Sequence, residues 1–202
     1  GKEWDLASPN LVEHATEKGW CKSEKDFDFA LCYGEPGMRE VVHCVVRVRR
    51  STELLQDNKG NISVNGMMNY LRVHEGYSVQ EWNPEKQINT VCMHAGPEVL
   101  SQSTGSYVGH LTEETPTHWL TVGSNPCISV YIPFYLGTEI PETFTKGREK
   151  YEEDSYWWNH EKLVRRIQED YPQYAGLIVP EIEKIQSTFL EGAEKNRKDA
   201  LD

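Results

Sequence analysis

Apolar positions along this chain fall into three regimes, which predict its elements. Leu11, Val12 and Ala15 share one face of a helix over 8–19, with Ser8 as cap, Pro9 in the first turn and Gly19 as stop. Residues 26–33 alternate polar and apolar and predict a short strand closed by Gly34. The stretch 39–56 supports two readings. Its valines favour strand, whereas Val41, Val45, Val48, Thr52 and Leu55 follow a helical spacing, and the length favours helix. After a turn at 58–61, Ser63 caps a predicted helix to about His74, with Val64, Met67, Met68 and Leu71 on one side. Residues 75–89 are polar and predict a loop.

The second regime runs from Thr90 to Pro133. It has the rhythm of four short strands, at about 90–95, 103–111, 117–123 and 127–133, and the close spacing favours an antiparallel meander. From about 144 the composition turns to Glu, Lys, Arg and aromatics. Trp157, His160, Val164, Ile167 and Tyr171 form one helical stripe that Pro172 should break. Pro180 should then open another helix, with Ile182, Ile185, Phe189 and Leu190 inward and the last ten residues frayed. Helices, a strand meander and more helices give an α+β fold, with helices layered on an antiparallel sheet. The composition shift divides the chain into 1–143 and a helical segment 144–202.

At 202 residues the chain can bury a core without staples, and 38% hydrophobic with 26% charged residues is ordinary for a globular protein. The net charge of -11 argues against nucleic acid or an anionic membrane as partner. No apolar run is long enough to span a bilayer, and the expectation is a cytoplasmic protein. The sequence does not open on Met, so the natural N-terminus is expected to lie upstream. Cys21, Cys32, Cys44, Cys92 and Cys127 are odd in number and contain no Cys-x-x-Cys pair. Buried reduced thiols are therefore expected, with no metal and no cofactor.

Candidate chemistry is sparse. His94, at the end of a predicted strand, could orient substrate or bind a proton. Ser101, Ser103 and Ser106 lack a Gly-x-Ser-x-Gly elbow and suit satisfied sheet hydroxyls. Arg47, Arg49 and Arg50 could clamp a carboxylate or form a solvated helix face.

Five segments in order carry a resemblance. They are Lys18-Gly19-Trp20, Asp26 to Ala30, Cys92 to Gly96, Ser101 to Ser106 and Pro126 to Ser129. Together with Lys59 to Ile62 they resemble the secernin and cysteine-dipeptidase family of N-terminal-nucleophile hydrolases. The resemblance implies αββα layers, of which this chain would be the C-terminal half. It also implies hydrolysis of small peptide amides by a cysteine at the mature N-terminus, whose α-amino group serves as base. Residue 1 here is Gly and the first cysteine is the internal Cys21, so the nucleophile is expected upstream and the isolated chain inactive. By landmark counting the resemblance places a catalytic Arg at Arg47, and His94 is kept as a substrate-binding candidate for its place at the end of an expected strand. Expected partners are a small peptide for the full-length protein, and the missing half or a second copy for this chain. The alternative within the family is a non-catalytic protein acting in regulated secretion through protein binding.

Overall fold

The computed structural model describes residues 4, 6–38, 44–74, 77–78, 81–83, 91–95, 101–113 and 115–199. These form two compact units, Gly1–Val45 and Val46–Asp202. The architecture is α+β: helices and one three-stranded antiparallel sheet.

In the first unit, α1 (Leu11–Glu17) begins at the Asn10 cap rather than at Ser8. Gly19 ends it at φ 70°, where any Cβ would be strained. The strand expected over 26–33 does not form. A 3-10 turn (Glu24–Asp26) leads instead into the short helix α2 (Phe29–Cys32). Asp28 explains the difference, because its carboxylate accepts from Ala30 N at 3.0 Å and Leu31 N at 3.3 Å. Local capping outweighs a weak alternation. Ala15, Phe27 and Cys32 make the small core of this unit.

The ambiguous segment is helical over its described part, α3 (Cys44–Asp57); 39–43 lie outside the described residues. Ser63 caps α4 (Val64–Leu71) as expected, its hydroxyl accepting from Gly66 N at 3.0 Å. The meander is β1 (Tyr107–His110), β2 (Thr117–Leu120) and β3 (Ile132–Tyr135). The order is β1-β2-β3, with Val108 opposite Trp119 and Trp119 opposite Pro133. Pro133 is tolerated because β3 is an edge strand. Two strand expectations shift. Residues 91–95 are irregular, and Pro126–Ile128 form a 3-10 turn, so the last strand starts at Ile132.

After α5 (Glu142–Thr145), α6 (Tyr156–Gln168) opens on Ser155, whose hydroxyl accepts from Trp158 N. The chain then enters one long helix, α7 (Tyr171–Asp199). Pro172 sits in its first turn, and Pro180, expected to open a helix, lies inside it. A mid-helix proline costs about 3 kcal/mol. Burial of Ala175, Val179, Ile182, Gln186 and Ala193 along one continuous stripe offsets that cost and carries the helix through the proline. The helix also holds through the segment expected to fray, as far as Asp199.

Two cores fill this unit. Met68, Val108, Trp119, Tyr131 and Ala193 pack between α4, the sheet and the end of α7. Trp82, Cys92, Cys127, Ile128, Val164, Ile167, Tyr171 and Val179 pack between the loops and α6 and α7. Polar clamps join them. Arg72 donates from Nε to Pro126 O at 3.1 Å, and from one terminal nitrogen to Ser129 O at 2.8 Å and Gln186 Oε1 at 3.0 Å. Gln186 also accepts from Tyr131 N at 2.8 Å and donates to Tyr131 O at 3.0 Å, satisfying a buried backbone.

Gly123 backs directly onto α6. A Cβ there would lie 2.4 Å from His160 Cδ2. Gly123→Ala should therefore destabilise the fold by about 1–3 kcal/mol, read as a lower urea midpoint. An unchanged midpoint would contradict this packing.

Candidate functional site

Four side chains from three separate places meet in the interior of the second unit. His74 follows α4, Cys92 and His94 share the irregular segment 91–95, and Cys127 sits in the 3-10 turn Pro126–Ile128. All four are buried, and their donor atoms lie within 4.8 Å of one another. His94 Nε2 is the hub. It stands 3.2 Å from His74 Nε2, 3.4 Å from Cys92 Sγ and 3.3 Å from Cys127 Sγ. Tyr171 Oη, at the start of α7, lies 3.2 Å from Cys127 Sγ.

Backbone pairing explains why these segments meet. Val91 N and Cys92 N both reach Val73 O, which holds the segment beside the end of α4. Ser103 N donates to Met93 O at 2.8 Å, Ser103 Oγ accepts from Met93 N, and Asn125 N donates to Ser103 O at 2.8 Å. Trp82 orients the two imidazoles. His74 stacks on it at 4.0 Å between ring centroids, and His94 lies tilted at 4.2 Å. The turn that presents Cys127 is strained, with Val122 at φ 45° and Asn125 at φ 53°. Each such residue costs on the order of 1–3 kcal/mol and persists only where its surroundings over-determine it. Thr121 Oγ1 donates to Gly123 O at 3.0 Å, and Ser129 Oγ lies 2.8 Å from Ser124 O, pinning that loop.

The electrostatics separate the two thiols. Burial raises the Cys127 thiol, but hydrogen bonding to Cys92 and the facing imidazoles of His94 and His74 bring it well below the ordinary cysteine range. Burial and the neighbouring Cys127 push Cys92 well above that range. Burial lowers His74, which favours its neutral, ligating form. Burial raises Tyr171 far above its ordinary value, so its hydroxyl keeps its proton and can donate to Cys127.

A cavity of about 440 Å³ opens beside the cluster, lined among others by Arg50, Arg72, His74, Tyr77, Cys127 and Glu183. The expected site residues are distributed as follows. His94 is 6% exposed and is the centre of the cluster. Arg47 is half-buried on α3, one helical turn before the cavity-lining Arg50. Ser103 and Ser106 are structural: Ser103 Oγ accepts from Met93 N and Ser106 Oγ is 2.7 Å from Tyr131 Oη, while Ser101 Oγ lies 3.9 Å from Met93 Sδ. In the sequence, His74 marks only the approximate end of the helix capped by Ser63, and Cys92 and Cys127 are two of the expected buried reduced thiols. Cys-x-His at 92–94 is the local trace of the cluster, while His74 and Cys127 join it only through the fold. No protein-family model matches the sequence, and no solved structure matches the chain.

His160 supplies a pH-dependent contact away from the cluster. Its Nε2 lies 2.8 Å from Ser129 Oγ and 3.0 Å from Ser124 O, with Tyr156 stacked near it and Glu161 alongside. Burial lowers its pKa, more than the Ser124 carbonyl and Glu161 raise it. The folded state therefore prefers neutral His160. That contribution is complete above the unfolded value of about 6.5 and is lost as pH falls through the depressed folded value. Urea midpoints should fall on acidification through this window, and His160→Gln should flatten the fall. An identical pH profile for wild type and variant would contradict the assignment.

Proposed function

We propose that the chain is the C-terminal half of a secernin-like cysteine dipeptidase, hydrolysing small peptide amides with a nucleophile carried outside these 202 residues. The observation that supports this is convergence. Of the five segments that carry the resemblance, Cys92 onward, Ser101–Ser106 and Pro126–Ser129 meet through the Met93–Ser103–Asn125 backbone bonds and the His94–Cys127 contact. That three of these segments build one shared nucleus supports reading them as parts of one core. The antiparallel sheet under α4 and α7 is consistent with one part of an αββα arrangement, whose second sheet would come from the other half.

In this reading the N-terminal half supplies the cysteine thiolate and its α-amino base. Arg47 sits near the nucleophile and stabilises developing charge, and the cavity lined by Arg50, Arg72 and Glu183 receives the peptide's charged ends.

The test is reconstitution. The 202-residue chain alone should release no amino acids from dipeptides, and the whole gene product, with cysteine at its mature N-terminus by mass spectrometry, should do so. Within that active protein, Arg47→Ala should lower kcat/KM by about 100-fold. Turnover by the isolated chain, or a whole protein with no N-terminal cysteine and no hydrolysis, would overturn the reading.

A further inference from the structure

The contacts around His94 Nε2 cannot all be hydrogen bonds. A neutral imidazole nitrogen carries either one hydrogen or one in-plane lone pair, so it supports one good hydrogen bond. Here three heteroatoms crowd it at 3.2, 3.3 and 3.4 Å. His74 and Cys127 also face one another, with their donor atoms within 4.8 Å. The arrangement is explained if the four atoms point not at each other but at a common centre.

We propose that His74, Cys92, His94 and Cys127 form a Cys2His2 site for a divalent zinc-class ion. Zinc bonds of about 2.3 Å to sulfur and about 2.0–2.1 Å to nitrogen place the donors of a tetrahedral centre about 3.3–3.8 Å apart. The three contacts that meet at His94, at 3.2, 3.3 and 3.4 Å, lie at or just below the short end of this range, and all four donors fall within 4.8 Å, close enough to contract onto one ion. The donor set is thiolate and imidazole, the soft-to-borderline mixture that selects zinc over magnesium or calcium. Charge also balances. Two thiolates buried beside apolar Trp82 and Ile128 are costly by themselves, and a dication makes the centre neutral. Tyr171, protonated and hydrogen-bonded to Cys127 Sγ, is the outer partner that orients a ligand.

Four protein ligands close the coordination sphere, which is the mark of a structural rather than a hydrolytic zinc. The ion would staple the end of α4, the 91–95 segment and the 126–128 turn that follows strained Asn125, converting binding energy into folding energy. This proposal stands independently of the dipeptidase reading, because its ligands all lie within the described residues.

The experiment uses the protein purified without chelator and without a histidine tag. Mass spectrometry of the metal content should find about one zinc per chain. Cobalt(II) replacement should give the intense absorption of tetrahedral thiolate coordination. Cys92→Ser or Cys127→Ser should roughly halve the thiolate band and weaken binding by about 100-fold or more, whereas Cys21→Ser with Cys32→Ser should leave both unchanged. Should a ligand variant fail to fold, the wild type decides by itself: chelation should lower its melting temperature and added zinc restore it. Several results would overturn the site. They are zinc-loaded wild type that retains no metal, a cobalt spectrum of six-coordinate oxygen type, metal lost with Cys21 and Cys32, or a native Cys92–Cys127 disulfide.

Discussion

One imidazole nitrogen sets the terms for the interior of this protein. His94 Nε2 has room in its valence for a single hydrogen bond and has three close neighbours. The segments that deliver those neighbours are otherwise weakly constrained. One follows a short helix, one is irregular, and one is a 3-10 turn entered through left-handed Asn125. Whatever satisfies the cluster also holds these three together. The Arg72–Gln186–Tyr131 clamp lies beside it and ties the same turn to α7 and to the chain entering β3. Breaking one partner of such a buried network leaves the others unsatisfied, so the polar interior is cooperative rather than additive.

The parts of the fold legible in the sequence are those written in local chemistry. Ser63 before an apolar stripe gives α4, and turn residues between short apolar runs give an antiparallel meander, in which three of the four expected strands form. Where two local signals compete, periodicity misleads. Asp28 can cap, and it turns an alternating stretch into α2. Pro180 carries a strong breaking signal, yet the buried stripe from Ala175 to Ala193 continues across it. The strand expected from Cys127 onward becomes a turn because Pro126 and the strained Asn125 bend the chain before Ile132.

The site was legible only in fragments. Spacing rules for cysteine sites look for pairs within a few residues, and Cys92 and Cys127 satisfy none. They converge because Ser103 bridges Met93 to Asn125, a tertiary fact with no sequence signature. His94 is marked in the sequence only by its place at the end of an expected strand, and the fold gives it a buried role at the hub of the cluster. A closed four-donor centre would leave no ligand position for a substrate, so the proposed amide hydrolysis would have to rely on groups other than these four. Such a centre would hold the cavity wall at His74 and Cys127 in place.

The most direct test of this account is zinc-edge X-ray absorption on the native protein. The account predicts a first shell of two sulfur and two nitrogen scatterers, at about 2.3 Å and about 2.0 Å respectively. A shell of nitrogen and oxygen alone, or no protein-bound zinc at all, would contradict it.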